Sequence, residues 1–149
     1  MTRIPELVDG LFDKDNTVAY KYFKELLVQS EKDDQVYPFF DIFADMLDHD
    51  NSYIRTRGLL LVSANAKWDA DYKIDEVIDK YLTHIIDEKA ITARQCIKAL
   101  PEIAKYKTDL IDDICSALKR ADSSRYPDSM QPLVQSDINQ SLELILSLR

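Results

Sequence analysis

The sequence predicts an all-α chain, and three observations carry that expectation. Glycine is nearly absent, with only Gly10 and Gly58 in 149 residues, so nucleotide-cradling turns and β-hairpins have little to be built from. Apolar residues recur three and four apart along most of the length, which is the spacing of one helix face. A short polar turn between two such segments appears three times: Leu11-Phe-Asp-Lys-Asp-Asn-Thr17, Met46-Leu-Asp-His-Asp-Asn-Ser52 and Ile85-Ile-Asp-Glu-Lys-Ala-Ile91.

Taken in order, Pro5 to Phe12 reads as a first helix, with Pro in the first turn where its missing N–H costs nothing. Asp15-Asn-Thr17 offers N-cap side chains for a longer helix over Val18 to Gln29, with Ala19, Phe23, Leu26 and Leu27 on one face. Val36 to Leu47 carries Phe39, Phe40, Phe43, Met46 and Leu47. Tyr53 to Lys67 follows and is apolar almost all round, the pattern of a covered helix. Asn65 falls on its buried line and needs a hydrogen-bond partner there, with a neighbouring turn the natural source.

Ile74, Val77, Ile78, Tyr81, Leu82, Ile85 and Ile86 make the most regular apolar face of the chain. Their partner helix runs from Ala90 to Lys105, where Pro101 predicts a kink. Thr108 to Leu118 is a helix with Asp109, Asp112 and Asp113 near its positive end. Arg120 to Asp128 reads as a longer loop, and Gln131 or Pro132 to Leu148 as the last helix. No segment reads as a strand.

The turns place Asp13, Asp48 and Asp87 in register, at spacings of 35 and 39 residues, with Tyr20, Arg55 and Arg94 seven residues after each. A period near 40 built from two antiparallel helices is that of stacked hairpins, none of which buries its apolar face alone. On Leu47-Asp48, Ile54-Arg55, Gly58-Leu59 and Val62, and on Ile86-Asp87, Ala93-Arg94, Ile97 and Leu100, the chain resembles the HEAT-repeat, armadillo-like family. The resemblance implies a right-handed α-α superhelix of about four stacked hairpins in one domain over 1–149, with repeats near 4–33, 34–70, 71–107 and 108–149. It also implies a hydrogen-bonded ladder between units, here Asp48, Arg55, Asp87 and Arg94. Tyr20 at the Arg position, and a last unit without the short turn, depart from the pattern as terminal capping units do.

Composition bounds the task. The net charge of −8 argues against general nucleic-acid binding, which favours a basic excess. Two cysteines, Cys96 and Cys115, lie in apolar-periodic segments and provide no disulfide framework; with no leader-like start and no membrane-span-length apolar run, the expectation is cytoplasmic, with no membrane partner. No phosphate loop, His-Glu-x-x-His, Cys-x-x-Cys or EF-hand spacing occurs, so no catalytic residue, cofactor or metal ligand is expected. His49 and His84 read as solvated, and the adjacent Asp112 and Asp113 as a solvated helix face. Trp68 reads as packing between helices before it reads as a stacking surface.

Charge is segregated between the helices of each pair. First helices carry acids such as Asp41, Asp45, Asp75, Glu76 and Asp79; second helices carry Lys24, Arg55, Arg57, Lys67, Arg94, Lys98 and Lys105. In HEAT-like stacks the second helices line the concave side, so the resemblance implies a basic groove. The expected function is a non-enzymatic protein-interaction module, a scaffold or adaptor, binding an acidic peptide or protein surface through Lys24, Arg57, Trp68, Gln95, Lys98 and Lys105. Two other readings compete. One is a nucleic-acid binder resembling HEAT-like DNA glycosylases, with Trp68-Asp69 its echo. The other is a self-associating structural protein using Leu144 and Leu146. The sequence leaves the oligomeric state open.

Overall fold

Side-chain caps start the second helix of the first two pairs. Asp15 accepts a hydrogen bond from the Thr17 N–H at 2.9 Å, and Asn51 accepts from Tyr53 N–H at 2.8 Å, each satisfying an amide that a helix start leaves open. The computed structural model describes residues 3–149, and among them the helices are α1 (Ile4–Gly10), α2 (Asn16–Lys32), α3 (Phe40–Met46), α4 (Ser52–Ala64), α5 (Lys73–Thr83), α6 (Ala90–Tyr106), α7 (Ile111–Arg120) and α8 (Gln131–Leu146). Single 3-10 turns occupy Tyr37–Phe39, Ala66–Trp68, His84–Ile86, Thr108–Leu110 and Ser123–Arg125. The expected helix boundaries at Lys67 and Thr108 therefore fall in tighter turns, and the helix expected to start at Val36 is preceded by one, where one hydrogen bond spans three residues rather than four. The α6 helix runs unbroken through Pro101. No described residue is in a strand, and no helix among them is long and apolar enough to cross a membrane.

The even-numbered helices pack in succession, α2 on α4, α4 on α6 and α6 on α8, while α1, α3 and α7 lie against α2, α4 and α8. The α5 helix joins through Tyr81, whose buried hydroxyl donates to the Leu59 carbonyl at 2.9 Å. One apolar core runs through all of these, with Leu11, Leu26, Phe43, Leu59, Leu61, Ile74, Ile97 and Leu100 fully covered. Gly58 permits the α3–α4 approach: a Cβ there would sit 2.8 Å from Met46 Cβ and 2.9 Å from the Phe43 carbonyl.

Polar contacts pin the second pair of helices to the third at a constant offset. Tyr37–Asp69, Asp41–Lys73, Asp48–Lys80 and Arg55–Asp87 each span 32 residues. Asn65 finds its partners in helices rather than in a neighbouring turn, donating to Ser30 Oγ on α2 at 3.2 Å and to the Leu61 carbonyl of its own helix at 2.9 Å.

Candidate functional site

The turn aspartates and the arginines that follow them take three different arrangements. Arg55 is buried and clamps Asp87 through two parallel bonds, Nε–Oδ2 at 3.0 Å and Nη2–Oδ1 at 2.8 Å. It is not part of a solvent-facing basic surface. Its remaining donors reach the His49 and Asp50 carbonyls at 3.0 and 2.9 Å. Burial raises the Asp87 carboxyl, but His84, Arg55 and the Lys89 N–H all bond its charged form, so its pKa lies well below the usual range. His84 is therefore not solvated: it is mostly covered, and its Nδ1 lies 2.7 Å from Asp87 Oδ2. Arg94 pairs with Asp137 on α8 rather than with a turn aspartate, at 2.6 Å. Asp48, with Tyr20 in the place of an arginine on α2, turns outward to Lys80 at 2.7 Å.

A second buried charge cluster closes the joint between α4 and α5. Asp69 accepts from the Lys73 and Ile74 N–H groups at 2.9 Å each and from the Tyr37 hydroxyl at 2.5 Å. Lys107 Nζ lies 2.9 Å from both Asp69 and Asp75, with the Tyr72 ring 4.7 Å away. Tyr72 takes a left-handed backbone conformation, φ 58°, to bring its ring there. Burial opposes charge at Asp69 and Lys107, yet their mutual hydrogen bonds lower the Asp69 pKa and raise that of Lys107. Every member of this cluster is engaged by the fold. Trp68, beside it, donates its indole N–H to the Ser30 carbonyl at 2.8 Å. The Trp68-Asp69 pair thus ties α2 to the α4–α5 joint.

The even-numbered row also borders open space. A groove of about 940 Å³ is lined by α2 (Tyr20, Phe23, Lys24, Leu27), α4 (Tyr53, Thr56, Arg57, Leu60), the start of α6 (Ile91, Thr92, Gln95) and the segment Arg125–Pro127 with Met130. Its far wall is fastened by main-chain contacts. The Tyr126 hydroxyl donates to the Asp87 carbonyl at 2.5 Å, and Arg125 Nη1 donates to the Ile86 carbonyl at 2.7 Å. Burial pushes the Tyr126 hydroxyl up to about 12. Thr92 sets the register of the near walls: its hydroxyl meets Thr56 Oγ1 at 2.9 Å and the Ser52 carbonyl at 3.5 Å, which brings α4 and α6 side by side beneath the groove.

Arg57 is the unusual member. It is 6% exposed, and among the described residues its guanidinium makes one hydrogen bond, a long one, 3.5 Å from Nη1 to the Leu11 carbonyl. Among the described residues no ion pair reaches it, and its nearest cation-π contact is Tyr53, 5.9 Å away. Burial lowers its pKa, with only Tyr53 opposing. A guanidinium carries five donors, and a buried cation without a counter-ion is costly.

Of the six sequence-based candidates, Lys24, Arg57 and Gln95 line this groove. Lys98 and Lys105 lie farther along the same exposed line of α6, outside it, and Trp68 is held in the joint described above. Lys67, read as groove charge, lies 3.3 Å from Glu31. The sequence reading missed Tyr53, Ile91, Lys89, Arg125 and Tyr126. Tyr53 and Ile91 carried one local signal, bulky side chains just inside a helix start and off the apolar line; the Arg125–Met130 wall carried none. No family model, no curated protein and no solved structure matches this chain.

Proposed function

We propose that this chain is a non-enzymatic interaction module of the HEAT-like solenoid kind, which docks an acidic peptide or protein surface in the groove of α2, α4 and α6. The observation that carries the reading is Arg57, a covered cation on the groove wall with no anion of its own. A carboxylate from outside supplies what the chain omits. Lys24, Lys89 and Arg125 add positive charge around the opening against Glu88 alone, which steers an acidic partner on an otherwise acidic protein. Cys96 and Cys115 are buried, unpaired thiols, which suits a reducing compartment, and we assign the protein to the cytoplasm.

The test is affinity capture from lysate with the wild-type chain, with Lys24→Glu/Arg57→Met, and with Lys98→Glu/Lys105→Glu, which reverses charge on the same helix face outside the groove. The expected result is loss of the captured partner in the first variant only, with its melting temperature not lowered. Equal capture by the groove variant overturns the reading.

A further inference from the structure

A basic groove and a mostly apolar one call for different ligands, and this groove is mostly apolar. Phe23, Leu27, Leu60, Tyr126 and Met130 make its floor and walls, and one buried cation, Arg57, interrupts them. Its rim is apolar too: Tyr20 is 52% exposed, Tyr53 59% and Ile91 69%. A run of acidic side chains would satisfy the surface lysines and leave that apolar area facing water. Burial of apolar area, at roughly 25 cal/mol per Å², is what such walls reward.

We infer that the occupant is a short peptide segment with a bulky apolar side chain directly beside a single carboxylate, the apolar group seated between Phe23, Leu60 and Met130 and the carboxylate paired with Arg57. The inference rests on the docking reading above and narrows it. Shape favours a chain segment over a small amphipathic acid. The groove is lined by three successive helices, and a small molecule on the floor would leave the exposed rim of Tyr20, Tyr53 and Ile91 uncovered, whereas a peptide crossing α2, α4 and α6 covers it. The carboxylate belongs at Arg57 rather than at Lys24 or Lys89. Those two are exposed and already hydrated, while Arg57 is 6% exposed on the groove wall and receives from the fold only the distant Leu11 carbonyl.

The geometry sets a signature in salt. Attraction among exposed charges is screened over roughly 8–10 Å at physiological ionic strength, whereas a covered pair flanked by apolar contacts is screened far less. Binding of the mixed segment therefore changes little with salt, and binding of a polyacidic one falls steeply.

The experiment is fluorescence polarisation with labelled Gly/Ser peptides that differ only at their centre: Phe-Glu-Leu, Phe-Gln-Leu or Glu-Glu-Glu, with decanoate as a competitor. Phe-Glu-Leu is expected to bind at least about tenfold more tightly than either other peptide. Its affinity should change less than about threefold between low and physiological salt. In Arg57→Met the preference for Glu over Gln should vanish, the double-mutant signature of a direct pair. Tighter, salt-sensitive binding of Glu-Glu-Glu overturns this inference and leaves acidic docking standing. Displacement by decanoate at equal concentration overturns the choice of a peptide. No binding of any acidic peptide removes both readings, and the same preference in Arg57→Met removes the pairing with Arg57 while leaving acidic docking standing.

Discussion

Arg55 Nη2 and Asp87 Oδ1 stand 2.8 Å apart across the α4–α6 contact, both covered, with Arg55 Nε on the second carboxylate oxygen. Because the pair also carries the His49 and Asp50 carbonyls and the Lys89 N–H, it joins two turns and a helix start in one hydrogen-bonded unit. Removing Arg55 strands a buried carboxylate. Arg55→Ala should cost about 3–5 kcal/mol. Urea unfolding checks this, with Lys80→Ala, which breaks the exposed Asp48 pair, expected to cost under about 1 kcal/mol. Equal costs for the two would show that burial is not what gives the Arg55 pair its weight.

The same carboxylates set a pH dependence. Asp87 and Asp69 both have pKa values below the unfolded value of about 3.9. A carboxyl depressed in the folded state contributes stability that is fully present above its unfolded pKa and is lost as pH falls through the folded one. The urea midpoint should therefore decline below about pH 4 and continue to decline toward pH 2. Asp87→Asn should be weaker at pH 7 and show a shallower acid decline. An unchanged decline would assign the acid sensitivity elsewhere.

Gly58 sets two effects against each other. Alanine improves helix propensity by about 1 kcal/mol. Against that, its Cβ meets the Phe43 carbonyl and Met46 Cβ at 2.9 and 2.8 Å, parts of a neighbouring helix rather than flexible ends. Overpacking of that kind costs about 1–3 kcal/mol, so Gly58→Ala should lower the melting temperature. A rise would mean that α3 slides freely over α4.

Arg57 predicts the opposite sign. A buried cation with no counter-ion holds stability below what the same space filled by an apolar side chain gives. Arg57→Met should stabilise the ligand-free protein by about 1 kcal/mol, a rise of about 2–4 °C at this size. Calorimetry without ligand decides it, and a drop in melting temperature would show that the bond to the Leu11 carbonyl matters more than desolvation does.

The thiols give a simple probe of order. Cys96 and Cys115 are covered, and burial pushes the Cys96 thiol far above its ordinary pKa, with the neighbouring Asp87 charge adding to it. Both should resist a thiol reagent in the native protein and react promptly in urea. Rapid reaction of one of them without denaturant would mark a locally opening helix.

Helices were legible because apolar spacing is a local property. Ala19, Phe23 and Leu26 announce the covered face of α2, and Ile74, Ile78, Tyr81 and Ile85 that of α5 and the turn after it. Asp15 announced a cap because its partner, Thr17, is two residues away. The site was half legible for the complementary reason. Lys24, Arg57 and Gln95 lie off the apolar lines, but whether a cation is free depends on what arrives from 30 to 50 residues away. Lys67 and Arg94 are answered by Glu31 and Asp137, and Lys107 by Asp69 and Asp75, whereas no acid among the described residues answers Arg57. Helical spacing places a residue on a face of its own helix and is silent about the helix opposite.

The far wall of the groove hangs from carbonyl groups, those of Ile86 and Asp87, gripped by Arg125 and Tyr126. Carbonyls are present whatever side chains a turn carries. Of the two charged side chains exposed on that same turn and lining the groove, Glu88 stands 3.7 Å from Arg55 Nη2, whereas Lys89 is released from any duty in holding the wall. The turn can change its charge while the cleft keeps its shape. That separation makes position 89 the place where charge on the groove rim can be varied, by a library in the laboratory, without moving the wall.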